Sequence, residues 1–255
     1  MTRISGERII ATLCCGAEFR TPSYSSINLS AHERWTDGRR FGSLFDNGGG
    51  LSRCKCGLYY LLSHAITVGT IPKAKNRAPK DWERKSASWW HRFLGFPTSE
   101  HILSTYDTRD SALIDVEEKQ LPPHTFHVVD NELVDVISDP NLPLEIEIIV
   151  RRRYWRYLND SYREKYRKAR AIDPEAVPIY VPTPQQRQNM DRLLSLLHAY
   201  HPQEWTEMAE LFRELGEPIA AKNALTYADK SKADDVALQS KLISQGVQAP
   251  VRFRY

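Results

Sequence analysis

Four cysteines are the only ones in the chain, and they come as two pairs at the ends of one loop. The first pair is Leu13-Cys14-Cys15-Gly16-Ala17-Glu18-Phe19; the second is Arg53-Cys54-Lys55-Cys56-Gly57-Leu58-Tyr59-Tyr60. Arg8–Leu13 reads as a strand entering the first pair, and Leu58–Leu62 as a strand leaving the second. The glycine after each last cysteine allows a positive φ in the turn. Strand, thiolate turn, strand is the plan of a small β module closed on a metal. Soft sulfur ligands suit zinc, and four of them complete a tetrahedral shell with no position left for water. The expectation is a structural Zn2+ held by Cys14, Cys15, Cys54 and Cys56, with Cys15 and Cys56 the surest ligands. His32 and His64 are alternative donors. A metal-free module that buries the cysteines as small apolar residues, and a redox pair, remain open at this point.

The spacing is tighter than the usual Cys-x-x-Cys. Adjacent cysteines diverge, so Cys14-Cys15 predicts a distorted backbone if both are to face one ion. Between the pairs, Asn28 to Gly50 is dense in turn signals. Trp35-Thr36-Asp37-Gly38 reads as a strand end entering a hairpin turn. Either Trp35 caps the small core, or Trp35, Asp37, Arg39 and Arg40 form an exposed recognition surface. Gly48–Gly50 is not a phosphate loop, because no Gly-Lys-Ser/Thr ending follows it.

Cys15-Gly16, Trp35-Thr36-Asp37-Gly38 and Cys56-Gly57 with Tyr59-Tyr60 together resemble a group of uncharacterised bacterial proteins. Those proteins have an N-terminal zinc-ribbon-like module built on Cys-Pro-x-Cys-Gly pairs, a Trp-Ser/Thr-Asp-Gly element between the pairs, and a tetratricopeptide-like helical tail. The resemblance maps the four ligands onto Cys14, Cys15, Cys54 and Cys56. It implies a fold and a metal, and no activity.

The net charge of +3 conceals strong blocks: +7 over residues 1–100, −9 over 101–150, +7 over 151–170 and −2 beyond. An acidic block beside a basic one predicts that the two face each other within the fold; a charged partner surface is the alternative. No apolar run approaches the ~18 residues that cross a bilayer. The N-terminus lacks a signal-peptide apolar core, which leads to the expectation of a cytoplasmic protein with reduced thiols.

Residues 70–79 read as a basic, proline-containing linker. Lys80–Gly95, with Trp82, Trp89, Trp90 and Phe93, has helical spacing. Ser111–Glu118 is helix-like. His124 and His127, at i and i+3 around Thr125-Phe126, have the spacing of two metal ligands on one helix face, while Pro122-Pro123 before them and Val128-Val129 after them fit a strand or turn equally well. Leu144–Tyr166 is the clearest long helix, with Trp155, Leu158, Tyr162, Tyr166 and Ala169 on one face. Arg151, Arg152 and Arg153 make it basic, which suits a core helix with a charged face or a nucleic-acid contact.

Pro174 to Pro184 is a proline-spaced connector. Thr183-Pro184-Gln185-Gln186 is a helix start with a Thr cap, Pro at the first position and Gln three after the cap. Three more helices follow, with Trp205, Pro218 and Ser231 near their starts and Gly216 and Gly246 as stops. The sequence thus predicts an α+β protein: a zinc-ribbon-like module over 1–70, a mostly helical region over 71–180 and a tetratricopeptide-like bundle over 181–255. No nucleophile elbow, phosphate loop or His-Glu-x-x-His motif is present. The function expected is therefore non-enzymatic: a zinc-stabilised module that binds another protein, without a membrane. Nucleic-acid binding through the basic helix 151–170 is the alternative.

Overall fold

The computed structural model describes residues 3–26, 33–41, 50–72, 121–229, 231 and 233–253. The expected helices over 80–95 and 111–118, His32 and Gly48-Gly49 lie outside the described residues. Short strands come first and helices fill most of the remainder, so the fold is α+β. The chain divides into two compact units, one formed by Met1–Ile27 with Ala65–Thr125, the other by Asn28–His64 with Phe126–Tyr255.

In the first unit, β1 (Arg3–Ala11) lies between β2 (Glu18–Ser26) and β7 (Ile66–Pro72), both antiparallel to it. Ile10 pairs with Phe19 in register, and both are buried. The backbone of Arg20 serves a further segment. Its N–H donates to the Pro123 carbonyl at 2.7 Å, its carbonyl accepts from Thr125 N–H at 3.0 Å, and its Nε donates to the Pro122 carbonyl at 2.7 Å. The proline pair therefore ends in a short extended run beside β2.

The second unit starts with the hairpin of β3 (Glu33–Arg34) and β4 (Arg40–Phe41). A small antiparallel sheet follows, with β5 (Leu51–Arg53) between β6 (Tyr59–Leu61) and β8 (Phe126–His127). The helices are α1 (Leu133–Ile137), α2 (Leu144–Leu158), α3 (Asp160–Ile172), α4 (Pro184–Tyr200), α5 (Trp205–Leu215), α6 (Pro218–Thr226) and α7 (Ala233–Ser244).

Helix α2 is buried on two sides, which a single amphipathic stripe does not predict. Ile146, Val150 and Tyr154, spaced i, i+4, i+8, join α1 and the small sheet through Leu51, Leu61, Val128 and Leu133. Ile148 and Trp155 join α4 and α5 through Met190, Leu193, Leu197, Met208 and Leu211. The one long helix expected over Leu144–Tyr166 is two helices meeting at Asn159, a buried polar residue. Beyond it, Tyr162 packs with Trp35, Tyr180 and Ala249.

The helix ends follow the chemistry of the sequence. Thr183 accepts from Gln186 N–H, and the Gln186 side chain accepts from Thr183 N–H at 2.8 Å, a reciprocal cap on α4. Gly216 closes α5 at φ +82°. Ala209 of α5 packs on Ala224 and Leu225 of α6, the close approach that small residues permit.

Candidate metal centre

Each cysteine pair sits in a hairpin loop whose hydrogen bonds explain its geometry. At Cys54–Leu58, Cys54 N–H donates to the Leu58 carbonyl at 2.8 Å and Gly57 N–H to the Cys54 carbonyl at 3.0 Å. This is a three-residue hairpin loop, Lys55-Cys56-Gly57, whose third residue is left-handed: Gly57 has φ +93°. The Thr36-Asp37-Gly38 loop repeats it, with Trp35 N–H to the Arg39 carbonyl at 2.9 Å and Gly38 N–H to the Trp35 carbonyl at 2.9 Å.

The β1–β2 loop is one residue longer. Thr12 N–H donates to the Ala17 carbonyl at 3.0 Å and Gly16 N–H to the Thr12 carbonyl at 2.9 Å. Residues 13–15 thus make one helical turn, and Gly16 takes the left-handed position at φ +69°. The distortion predicted for adjacent cysteines is absent. No described non-glycine residue has a positive φ, and Cys14 Sγ lies 3.9 Å from Cys15 Sγ. The helical turn sets neighbouring side chains about 100° apart, close enough for both sulfurs to meet one ion. Thr12, buried under the loop, places Oγ1 3.8 Å from Cys15 Sγ and donates from it to the Ala17 carbonyl at 3.2 Å.

None of the four cysteines is in a disulfide. Their sulfur atoms all lie within 4.8 Å of one another, so the group can hold a metal ion. A tetrahedral zinc with bonds of about 2.3 Å places its sulfurs about 3.8 Å apart. The 3.9 Å between Cys14 and Cys15 matches that edge. Cys54 is buried and the other three cysteines are exposed.

The remaining candidates are bound into the second unit. Trp35 has no exposed surface; its Nε1 donates to Glu33 Oε1 at 2.5 Å, and Tyr166 packs edge-on at 5.2 Å. Burial pushes the Glu33 carboxyl up, but the bonds from Arg167 and Trp35 outweigh it and leave it below its ordinary value. Asp37 is buried as well. Trp35 and Asp37 therefore belong to the core and not to an exposed recognition surface. Arg39 pairs with Asp130 at 3.3 Å and Asp160 at 3.2 Å, while Arg40 is exposed.

The arginines of α2 meet carboxylates. Arg151 Nε donates to Glu147 at 2.7 Å, Arg152 grips both oxygens of Glu207 at 2.6 and 2.7 Å, and Arg153 donates to Asp130 at 2.6 Å. Asp130 and Glu147 come from the acidic block, so among the described residues these two carboxylates meet the basic block inside the fold. The interactions that hold these guanidiniums would have to break before they reached a phosphate.

The sequence reading missed a buried polar cluster around Asn159. Asn159 Nδ2 donates to Asp37 Oδ2 at 3.1 Å and to Glu214 Oε2 at 3.0 Å. Trp155 Nε1 donates to the same Glu214 oxygen at 2.9 Å, and the Tyr180 hydroxyl lies 2.9 Å from it. Glu210 and Arg213 pair at 2.5 Å beside it. Glu214 falls one residue before the end of a charged-looking helix, and nothing in its local pattern marks it as buried.

No family model, curated protein or solved structure matches the chain.

Proposed function

We propose that Cys14, Cys15, Cys54 and Cys56 hold one structural zinc ion and that the protein is a non-enzymatic module that binds another protein. The carrying observation is the approach of four thiol sulfurs within 4.8 Å of one another. Four sulfur donors fill the tetrahedral shell, so such a metal stabilises and does not activate water. Sulfur-only ligation favours zinc over magnesium or calcium, which prefer oxygen. The protein-binding part rests on apolar side chains turned outward in the connector before α4. Val177, Ile179 and Val181 alternate there with the more buried Pro178, Tyr180 and Pro182.

The test is metal analysis of the purified native chain beside Cys56→Ser. One zinc per chain, reduced in the variant together with its melting temperature, supports the reading. Cobalt substitution gives a second readout through the absorption of tetrahedral thiolate coordination. Metal-free native protein with unchanged melting in the variant overturns it.

A further inference from the structure

The cluster around Asn159 has an imbalance of charge. Three carboxylates, Asp37, Glu210 and Glu214, are buried there with only two buried guanidiniums, Arg163 and Arg213. Both cations are engaged elsewhere. Arg163 donates from Nη2 to Asp37, and from Nη1 to Asp160 and the Arg156 carbonyl. Arg213 grips both oxygens of Glu210, and its Nη1 reaches the Val247 and Ala249 carbonyls at 2.5 and 2.8 Å. Glu214 receives no hydrogen bond from either. Its Oε2 meets only the neutral groups of Trp155, Asn159 and Tyr180, and its Oε1 has no hydrogen-bond partner.

The tyrosine has two short oxygen contacts and one proton for them. Tyr180 Oη lies 2.9 Å from Glu214 Oε2 and 3.0 Å from Asn159 Oδ1, yet a phenol carries one proton. Asn159 Oδ1 also accepts from the Gln186 side-chain amide at 3.2 Å, so it does not by itself claim the tyrosine proton. An ionised Glu214 leaves one of the two Tyr180 contacts without a hydrogen, whereas a neutral Glu214 can donate to Tyr180 Oη and leave the tyrosine proton for Asn159 Oδ1.

We propose that Glu214 is a neutral carboxylic acid in the folded chain and that its proton is a pH-sensitive latch on the helical unit. The chain of donors then closes: Glu214 to Tyr180, Tyr180 to Asn159, and Asn159 to Asp37. It ties α5 to the proline connector, to the α2–α3 joint and to the β3–β4 turn. The charged and titratable groups facing Glu214 agree with a neutral acid. From its own helix, Glu210 opposes ionisation and Arg213 favours it; from the β3–β4 turn, Asp37 opposes it. From α3, Tyr162 lies close enough to feel its charge, and Arg163 and Asp160 sit around Asp37. From α4, Arg187 reaches only the Leu215 carbonyl, at 3.4 Å. Burial is the largest influence and, with Glu210 and Asp37, pushes the carboxyl up to about 8.

The sign follows from linkage. The folded state holds a proton that the unfolded chain releases near the ordinary carboxyl value. The latch is therefore complete at low pH and is lost as pH rises through the folded value. Over that interval one linked proton raises the unfolding constant by up to about tenfold per pH unit.

The experiment uses the full chain: a carbon-13 titration of the Glu214 side-chain carboxyl, assigned by its loss in Glu214→Gln, with denaturation of wild type and variant across pH. The carboxyl is expected to stay protonated at neutral pH. Glu214→Gln, which mimics the neutral acid, is expected to remove the tenfold-per-unit dependence, so that its stability relative to wild type rises between the ordinary carboxyl value and about pH 8 and is level above it. A carboxyl that titrates in the ordinary acidic range overturns the proposal, as does a Glu214→Gln variant weakened equally at every pH. Should that variant fail to fold, the wild-type titration, assigned through backbone correlations, decides by itself.

Discussion

Asp37 and Arg163 form an ion pair in which neither side chain has any exposed surface, although 126 residues separate them in sequence. Asp37 is positioned by its own turn, where Oδ1 accepts from Arg39 N–H at 3.1 Å. Arg163 is positioned by α3 and lies over the Trp35 ring, 5.4 Å from its centroid. The pair thus locks the β3–β4 hairpin onto the helices. Removing one partner leaves a buried charge uncompensated, so Asp37→Ala is expected to cost about 3–5 kcal/mol. Urea denaturation checks this, and a loss below about 1 kcal/mol would show that water or another anion takes its place.

Gly57 isolates the backbone requirement of the second cysteine loop. A Cβ added there meets nothing within 4 Å, so the cost of substitution is the left-handed φ alone. Gly57→Ala is expected to lower stability by about 1–2 kcal/mol, and Gly57→Asn by less, because asparagine tolerates this conformation. Thermal unfolding of the two variants distinguishes them. Equal losses would point to steric crowding as the cause.

The cap on α4 predicts a smaller and more local effect. Thr183→Ala removes the acceptor for Gln186 N–H and is expected to cost about 1 kcal/mol. Thr183→Ser keeps a hydroxyl and should recover most of it. Amide exchange at the first turn of α4 is the measurement, with Gln186 the amide that should lose protection in Thr183→Ala alone.

Acid should weaken the junction of α2 and α4 through Glu147. Its carboxyl is held below the ordinary value, chiefly by the Arg192 hydrogen bond, with burial opposing and Arg151 assisting. Arg192 reaches it from α4 at 2.9 and 3.0 Å. A depressed folded value means that the contribution is complete above the unfolded carboxyl value and is lost as pH falls through the folded one. Glu147→Gln is therefore expected to flatten the acid side of the stability profile and leave its alkaline side unchanged. A variant whose acid side matches wild type would remove Glu147 from the acid response.

Local features of this protein were legible in the sequence because local chemistry makes them. Asp37-Gly38 announces a hairpin, Thr183 with Gln186 announces a cap, and Gly16 and Gly57 announce left-handed turn positions. The helical stripe of α4, with Met190, Leu193 and Leu197 buried, follows from period alone. The backbone of Cys14-Cys15 was harder to read. Spacing suggested distortion, whereas the six residues from Thr12 to Ala17 close as a helical turn and pass the positive φ to Gly16. Trp35 allowed two readings, since an aromatic residue in a turn-rich loop has the same local pattern in a core as on a surface.

The sequence by itself determined the α+β composition, the turn and cap positions and the presence of four thiols suited to one metal. Only the tertiary structure decided which charges are spent inside the fold. Arg152 is fixed by Glu207, 55 residues away, and Glu214 by Trp155, 59 residues away. No pattern within a helix encodes such partners. A charge in a sequence carries its sign wherever it lies, but its solvation, its proton and its availability to a ligand depend on what packs against it.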